Sequence, residues 1–254
     1  MRDTGARLRR VEHTMGTVFS FDVRAAGSRV AAALDGAAAW LHHVDDVFST
    51  YRPDSRISRL AAGTLALSAC GPEVWEVLRL CEAAERRSDG WFSARYAGGG
   101  FDPTGLVKGW AVERAAAMVY SAGAEAVCVN GGGDVQVRGG GRWRIGVSDP
   151  LRPGRVATVV HADGDLAVAT SGPAERGCHI VDPRTGRPPA HAAASLTVVC
   201  RGLTDADAHA TAAYAMGDRA RGWLESLPGT AAFAIAADGT TWQTTGFGSL
   251  IAAG

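Results

Sequence analysis

Four short stretches of the sequence bring together side chains of the kinds that do chemistry. In T-D-A-D-A-H-A-T-A-A, Asp207 and Thr211 are four residues apart, which on a helix sets them one turn apart on one face. One ionised and one neutral oxygen at that spacing suit a hard cation such as Mg²⁺, whose other positions go to water or phosphate oxygens. A purely structural arrangement is also open. Thr204 and Asp207 have capping-box spacing, and a helical Thr211 can bond back to a carbonyl. In the second stretch, Asp102 to Gly109 (D-P-T-G-L-V-K-G) leads into a helix. Backbone N–H groups at such an entrance favour an anion, and Lys108 adds a compact charge for phosphate. The alternative is a lysine on the solvent face of a first turn. The segment is not a Walker A loop, and no G-x-G-x-x-G stands at a strand–helix junction.

The third stretch, Asn130-Gly-Gly-Gly-Asp134, follows an apolar run. Glycines there let backbone approach a ligand or simply make a bulged turn. The fourth, residues 170–186, reads T-S-G-P-A-E-R-G-C-H-I-V-D-P-R-T-G. His179 is its candidate general base, and Asp182-Pro183 followed by Thr-Gly closes a turn. His42, His43, His161, His191 and His209 lack such polar company and read as surface or helix-face residues.

The elements that must hold these groups follow from periodicity. A strand is expected over Thr14–Arg24, and a helix from Ser28 to about Phe48 with Val30, Leu34, Ala37, Leu41, Val44 and Phe48 on one face. Phe48–Leu60 is a Pro-broken loop ending in a helical turn. A helix opened by Pro72 stops near Gly90, and another runs from Leu106 to Tyr120, closed by Gly123. A buried strand covers Ala126–Val129. Hairpins are expected between Val135–Arg138 and Trp143–Val147, between Val156–His161 and Asp165–Ala169, and between Thr230–Ala236 and Thr240–Thr245. Ser195–Cys200 is a strand. Thr204 is expected to cap a helix to Met216, with a short helix over Asp218–Leu227. Hairpins outnumber β-α-β crossovers, so the fold class is α+β with mainly antiparallel sheets, and the length fits one large domain or two small ones.

Composition narrows the function. Net charge is zero, with 26 basic and 26 acidic residues, which leaves no electrostatic footprint for nucleic acid. The five cysteines (70, 81, 128, 178 and 200) include no C-x-x-C and no zinc spacing, and fit a reducing compartment. The basic N-terminus has no apolar segment behind it, and no long apolar run occurs elsewhere. The expectation is a cytoplasmic protein with no signal peptide and no membrane insertion.

Taken in order, these stretches resemble the FAD:protein FMN transferase family, also called the thiamine-biosynthesis-lipoprotein or ApbE family. The resemblance is carried by H-T-M-G-T, F-S-T-Y-R-P-D-S-R-I-S-R-L, F-D-P-T-G-L-V-K-G-W-A-V-E-R-A and V-N-G-G-G-D-V. It continues through V-A-T-S-G-P-A-E-R with H-I-V-D-P-R-T-G, and ends in L-T-V-V-C-R-G-L-T-D-A-D-A-H-A-T-A. It implies a single domain over 1–254, built as two T-fold-like lobes with flanking helices and FAD in the cleft between them. The implied reaction is Mg²⁺-dependent cleavage of FAD, with FMN attached through a phosphoester to a Thr or Ser of a partner flavoprotein and AMP released. An FAD pyrophosphatase and a non-catalytic FAD-binding protein are the alternatives.

The resemblance further implies Asp207 and Thr211 as metal ligands, with a backbone carbonyl near Val107 as the third. His179 would activate the acceptor hydroxyl, beside Lys108 as the second catalytic group. The FAD site would be lined by Met15, Tyr51, Asp102, Lys108, Ser171, Gly172, Glu175, Arg176 and His179. Two departures stand out: Glu113 replaces the usual Asp after K-G-W-A-V, and Pro173-Ala174 replaces a polar-aromatic pair after T-S-G.

Overall fold

The computed structural model describes residues 7–24, 27–95, 101–173, 180–189 and 193–251. In chain order the elements are β1 (Arg7–Thr14), β2 (Thr17–Arg24), α1 (Ser28–Phe48), α2 (Arg56–Ala61), α3 (Pro72–Arg87), α4 (Thr104–Ser121), β3 (Ala126–Gly131), β4 (Asp134–Gly139), β5 (Trp143–Ser148), β6 (Val156–Ala162) and β7 (Leu166–Ser171). They continue with β8 (Ser195–Cys200), α5 (Leu203–Met216), α6 (Ala220–Glu225), β9 (Ala231–Ile235), β10 (Thr241–Gln243) and α7 (Gly248–Ile251). Eight strands form one sheet in the order β1-β2-β3-β4-β7-β8-β9-β10, and β5 pairs with β6 as a separate ribbon. Every pairing between named strands is antiparallel. The α+β reading holds.

Alternation along the strands sorts the two faces. Phe19, Phe21 and Val23 of β2, Val127 and Val129 of β3, Ala167 and Ala169 of β7, and Leu196 and Val198 of β8 join the core shared with α1, α4 and α5. Val135 and Val137 of β4, with Val168 and Val199, face the other way and pack on Ile145, Val147 and Val160 of the ribbon. The long helices therefore cover one face, and the β5–β6 ribbon with α7 covers part of the other. The expected stripe of α1 is buried in full. Helix α5, rich in alanine, is buried over most of its circumference, and its small side chains let α4 and the sheet approach closely.

Four expectations are corrected. Thr14–Arg24 is not one strand, because a two-residue turn at Met15-Gly16 divides β1 from β2. Both turn residues have positive φ, 49° and 66°, as a primed hairpin turn requires. Strand β1 itself reads as a basic tail, since it is an edge strand guarded by Arg7 and Arg9, a common use of charge at sheet edges. The hairpins across residues 139–141 and 163–164 do not form. Strand β4 pairs with β3 and β7, while β5 and β6 pair with each other. A turn signal fixes where the chain reverses and not which strand it then meets; here the apolar faces of Ile145 and Val147 are buried by leaving the sheet edge and covering Val135 and Val137. Lastly, α5 begins at Leu203 with Gly202 as N-cap and no side-chain cap of its own, so Thr204 does not cap it. The β9–β10 hairpin forms as expected.

Candidate active site

A cleft of about 970 Å³ opens at the ends of the central strands, lined by the β5 side of the ribbon, the loop after α1, the first turn of α4 and one face of α5. That volume suits a large organic ligand. Nine of the residues expected at the site lie on its wall: Met15, Tyr51, Asp102, Val107, Lys108, Ser171, Gly172, Asp207 and Thr211. Tyr51 stands at the rim, 96% exposed. Glu175, Arg176 and His179 lie outside the described residues, as does His191.

Helix α4 organises the site. Its entrance is held by Asp102 Oδ1, which accepts from the N–H of Thr104 at 2.8 Å. Its first turn then lies along α5. Gly109 is where the two helices come closest: a Cβ there would lie 2.6 Å from the Leu203 carbonyl and 2.7 Å from Asp207 Cβ, so a larger residue would push the helices apart. The buried N–H of Gly109 donates to Asp207 Oδ2 at 2.9 Å. One turn earlier, Thr211 Oγ1 donates to the Gly105 carbonyl at 3.3 Å. A buried carboxylate, a hydroxyl and a carbonyl thus share one stretch of cleft wall. The capping-box alternative for Asp207 is excluded, because its carboxylate is turned to α4 and the N-terminus of α5 is served by other groups. The back-bond expected of Thr211 runs to another helix instead of its own.

Lys108 is the single lysine of the chain among 26 basic residues. Its Nζ lies 2.6 Å from Asp134 Oδ2, the side chains being 15% and 2% exposed. The solvent-face alternative for Lys108 therefore fails. Asp134 Oδ1 in turn accepts from Thr170 N at 2.9 Å, and Thr170 Oγ1 shares a hydrogen bond of 2.9 Å with Thr197 Oγ1. The third and fourth stretches of the sequence thereby meet the second. The glycines before Asp134 make the turn of the β3–β4 hairpin, where Asn130 Oδ1 accepts from Gly133 N at 2.9 Å.

Some participants were not legible beforehand. Asp134, Gln136 and Arg138 alternate with Val135 and Val137 along β4, so all three point to the helix layer. Trp143, Ile145 and Val147 of β5 line the cleft opposite α4. His209, expected on a surface or a helix face, lies on α5 and is buried against Trp223 with ring centroids 5.5 Å apart. Burial pushes its imidazole down to about 4, so it stays neutral near pH 7.

A family model described as the ApbE family matches residues 15–98 and 95–234. The chain belongs to the ApbE family. A Vibrio cholerae relative named FAD:protein FMN transferase is 34% identical over 129 residues, 46% of this chain and 39% of that one. A Rhodobacter capsulatus relative of the same name is 31% identical over 191 residues, 71% of this chain and 33% of that one. The chain thus spans well under half the length of these two curated relatives. Among solved structures, the apo flavinyl transferase ApbE of Pseudomonas stutzeri superposes with TM-score 0.82 at 23% identity, covering 98% of each chain. The ApbE protein of Thermotoga maritima gives 0.85 at 20% identity, over 98% of this chain and 100% of that one. At such identities the likeness is one of fold.

Cys128 also lines the ApbE cleft. Burial pushes its thiol up to about 12, as it does those of Cys81 and Cys200. At pH 8 only about one such thiol in 10⁴ is ionised, so none is poised as a nucleophile. Peptide mapping after iodoacetamide at pH 8 should find these three unmodified in the native protein and modified once guanidinium unfolds it. Rapid native labelling of Cys128 would contradict this assignment.

Proposed function

We propose that this ApbE-family chain is a Mg²⁺-dependent FAD:protein FMN transferase, cleaving FAD and attaching FMN to a Thr or Ser of a partner flavoprotein. The observation that carries the reading is the convergence of Asp207, Thr211, the Gly105 carbonyl and the Lys108–Asp134 pair on one cleft at the entrance of α4. The names of the relatives supply the substrate.

The donor set is one carboxylate, one hydroxyl and one carbonyl, all hard oxygens, and it fits Mg²⁺, which keeps several positions for water and phosphate. Thr211 touches the carbonyl of Gly105, two residues before Val107, and Gly105 is the better third oxygen on this ground. A Mg²⁺ ion held there supplies Lewis-acid neutralisation of the diphosphate charge.

The chain's own groups do the rest. Lys108 sits one turn into α4, where its ammonium and the nearby helix N-terminus favour the phosphate oxygens. Met15, Tyr51, Ser171 and Gly172, with Glu175 and Arg176, hold the dinucleotide so that one phosphorus faces the acceptor. The acceptor hydroxyl oxygen bonds to the FMN phosphorus while the bond from that phosphorus to the bridging oxygen breaks. AMP leaves with the electron pair, and His179 takes the hydroxyl proton. No described helix is long and apolar enough to cross a membrane. The four described cysteines are free, which supports a cytoplasmic setting.

The test is intact mass spectrometry of an acceptor flavoprotein incubated with the chain, FAD and Mg²⁺. A gain of one FMN, with AMP released, is expected. Free FMN and AMP with no change in the acceptor would replace transfer by hydrolysis, and FAD retained uncleaved would replace catalysis by binding.

A further inference from the structure

We propose that Glu113 is a positioning residue that sets the register of α5 against α4 and so fixes how Asp207 and Thr211 face the cleft. The inference rests on the metal reading of those two residues.

Helices α4 and α5 run past each other in opposite directions and meet at three successive levels. Gly105 meets Thr211 through the 3.3 Å bond, and Gly109 meets Asp207 through the 2.9 Å bond. Glu113 meets Thr204: its Oε2 accepts from the Thr204 backbone N–H at 2.9 Å and from Thr204 Oγ1 at 2.8 Å. On α4 the three residues are four apart, and on α5 they are separated by four and three, so each set follows one helix face. The first two levels are made by glycines, which offer backbone only. Glu113 alone contributes a side chain, at the end of α5 where N–H groups lack intrahelical partners.

The Glu113 carboxylate is itself held. Arg138 Nη2 donates to its Oε1 at 2.8 Å, and Arg138 Nη1 lies 3.1 Å from Asp165 Oδ2. Beside it, Gln136 Oε1 accepts from the N–H of Leu203 at 2.8 Å. The helix face of β4 thus fixes Lys108 through Asp134, α5 through Gln136, and Glu113 through Arg138. Gly202 leaves room for this, since a Cβ there would lie 2.9 Å from Glu113 Oε1. A carboxylate at a helix N-terminus also complements its dipole. Without Glu113, α5 loses a charged stop one turn from Asp207. The helix is then free to shift along the glycines of α4 and draw Asp207 and Thr211 out of line with the Gly105 carbonyl.

The test uses the full chain and Mn²⁺ as probe, with free Mn²⁺ read by electron paramagnetic resonance beside a melting curve. Glu113→Ala should weaken Mn²⁺ binding about tenfold, the usual size for a group that orients a ligand. Glu113→Gln keeps an acceptor oxygen and should fall between parent and Ala. The Mg²⁺ concentration for half-maximal FAD cleavage should rise in the same order. A lower melting temperature with parental Mn²⁺ affinity in the folded protein would reduce Glu113 to a helix cap and overturn the proposal. Should Glu113→Ala not fold, parental affinity in Glu113→Gln has the same force. Asp207→Ala separates the two readings. If it binds Mn²⁺ as the parent does, the metal reading falls and takes this inference with it. If it loses Mn²⁺ while the Glu113 variants keep it, only the inference falls.

Discussion

Asp207→Ala should lower Mg²⁺-dependent FAD cleavage by about 10³-fold or more while the chain stays folded. Neutralising charge on a diphosphate is worth several kcal/mol, and roughly 4 kcal/mol corresponds to 10³ in rate. Asp207 offers the one charged oxygen of the three on that patch of wall. The fold has less at stake. Asp207 makes no cap for α5, whose first N–H groups are taken by Gln136 and Glu113. Its bond from Gly109 N is one hydrogen bond, typically worth about 1 kcal/mol net. The variant should therefore melt within a few degrees of the parent and bind Mn²⁺ poorly, and excess Mg²⁺ should not restore the rate. Cleavage within tenfold of the parent would show that Asp207 holds no metal. Unfolding at the assay temperature would mean that its tie to α4 outweighs one hydrogen bond.

How far the sequence reaches depends on whether an interaction is local. Helix α1 was legible because one of its faces is apolar and the other polar, and α3 because Pro72 and the residues after Arg87 mark its ends. Asp207 and Thr211 were legible as a pair because four residues of helix put them together wherever the helix lies. The partners of strands were not. Nothing in G-G-G at 139–141 says that β5 leaves the sheet, since that choice depends on a layer of Val135, Val137, Ile145 and Val147 assembled from separate segments. Helix α5 hid its surroundings in another way. Buried nearly all round, it has no polar face to orient it, and the T-x-x-D spelling of a capping box masked a carboxylate bound to Gly109.

The spacing G-x-x-x-G-x-x-x-E over Gly105, Gly109 and Glu113 was present in the chain, and marks a helix face of two close approaches followed by a charge. It acquires meaning only once α5 is known to lie on that face. The lone lysine was equally visible, and its chemical weight came from Asp134, 26 residues away. His179 was legible through motif alone; with Glu175 and Arg176 it lies outside the described residues, so its role rests on resemblance.

Lys108→Met should cost about 3 kcal/mol of stability as well as activity. The reason is Asp134, whose side chain is 2% exposed and lies 2.6 Å from Lys108 Nζ. Removing one member of a buried ion pair leaves the other charge desolvated, at a typical cost of 3–5 kcal/mol; the cleft-side position of Lys108, 15% exposed, places the expectation at the lower end. Asp134→Asn should cost less, because the amide oxygen can still accept from Thr170 N and the ammonium retains access to water. The double variant Lys108→Met/Asp134→Asn should recover most of the loss, giving a coupling energy of about 2 kcal/mol in a denaturant-based cycle. Activity should follow a different course. A charge directed at the diphosphate acts on bound FAD and on the transition state alike, so the double variant should regain its melting temperature and remain weak in both FAD binding and cleavage. Lys108→Arg should not rescue either property, since the planar guanidinium cannot occupy the space of a compact ammonium between α4 and Asp134. Additive single effects on stability would remove the ion pair from the account. Recovered cleavage in the double variant would show that Lys108 serves only to keep Asp134 in place.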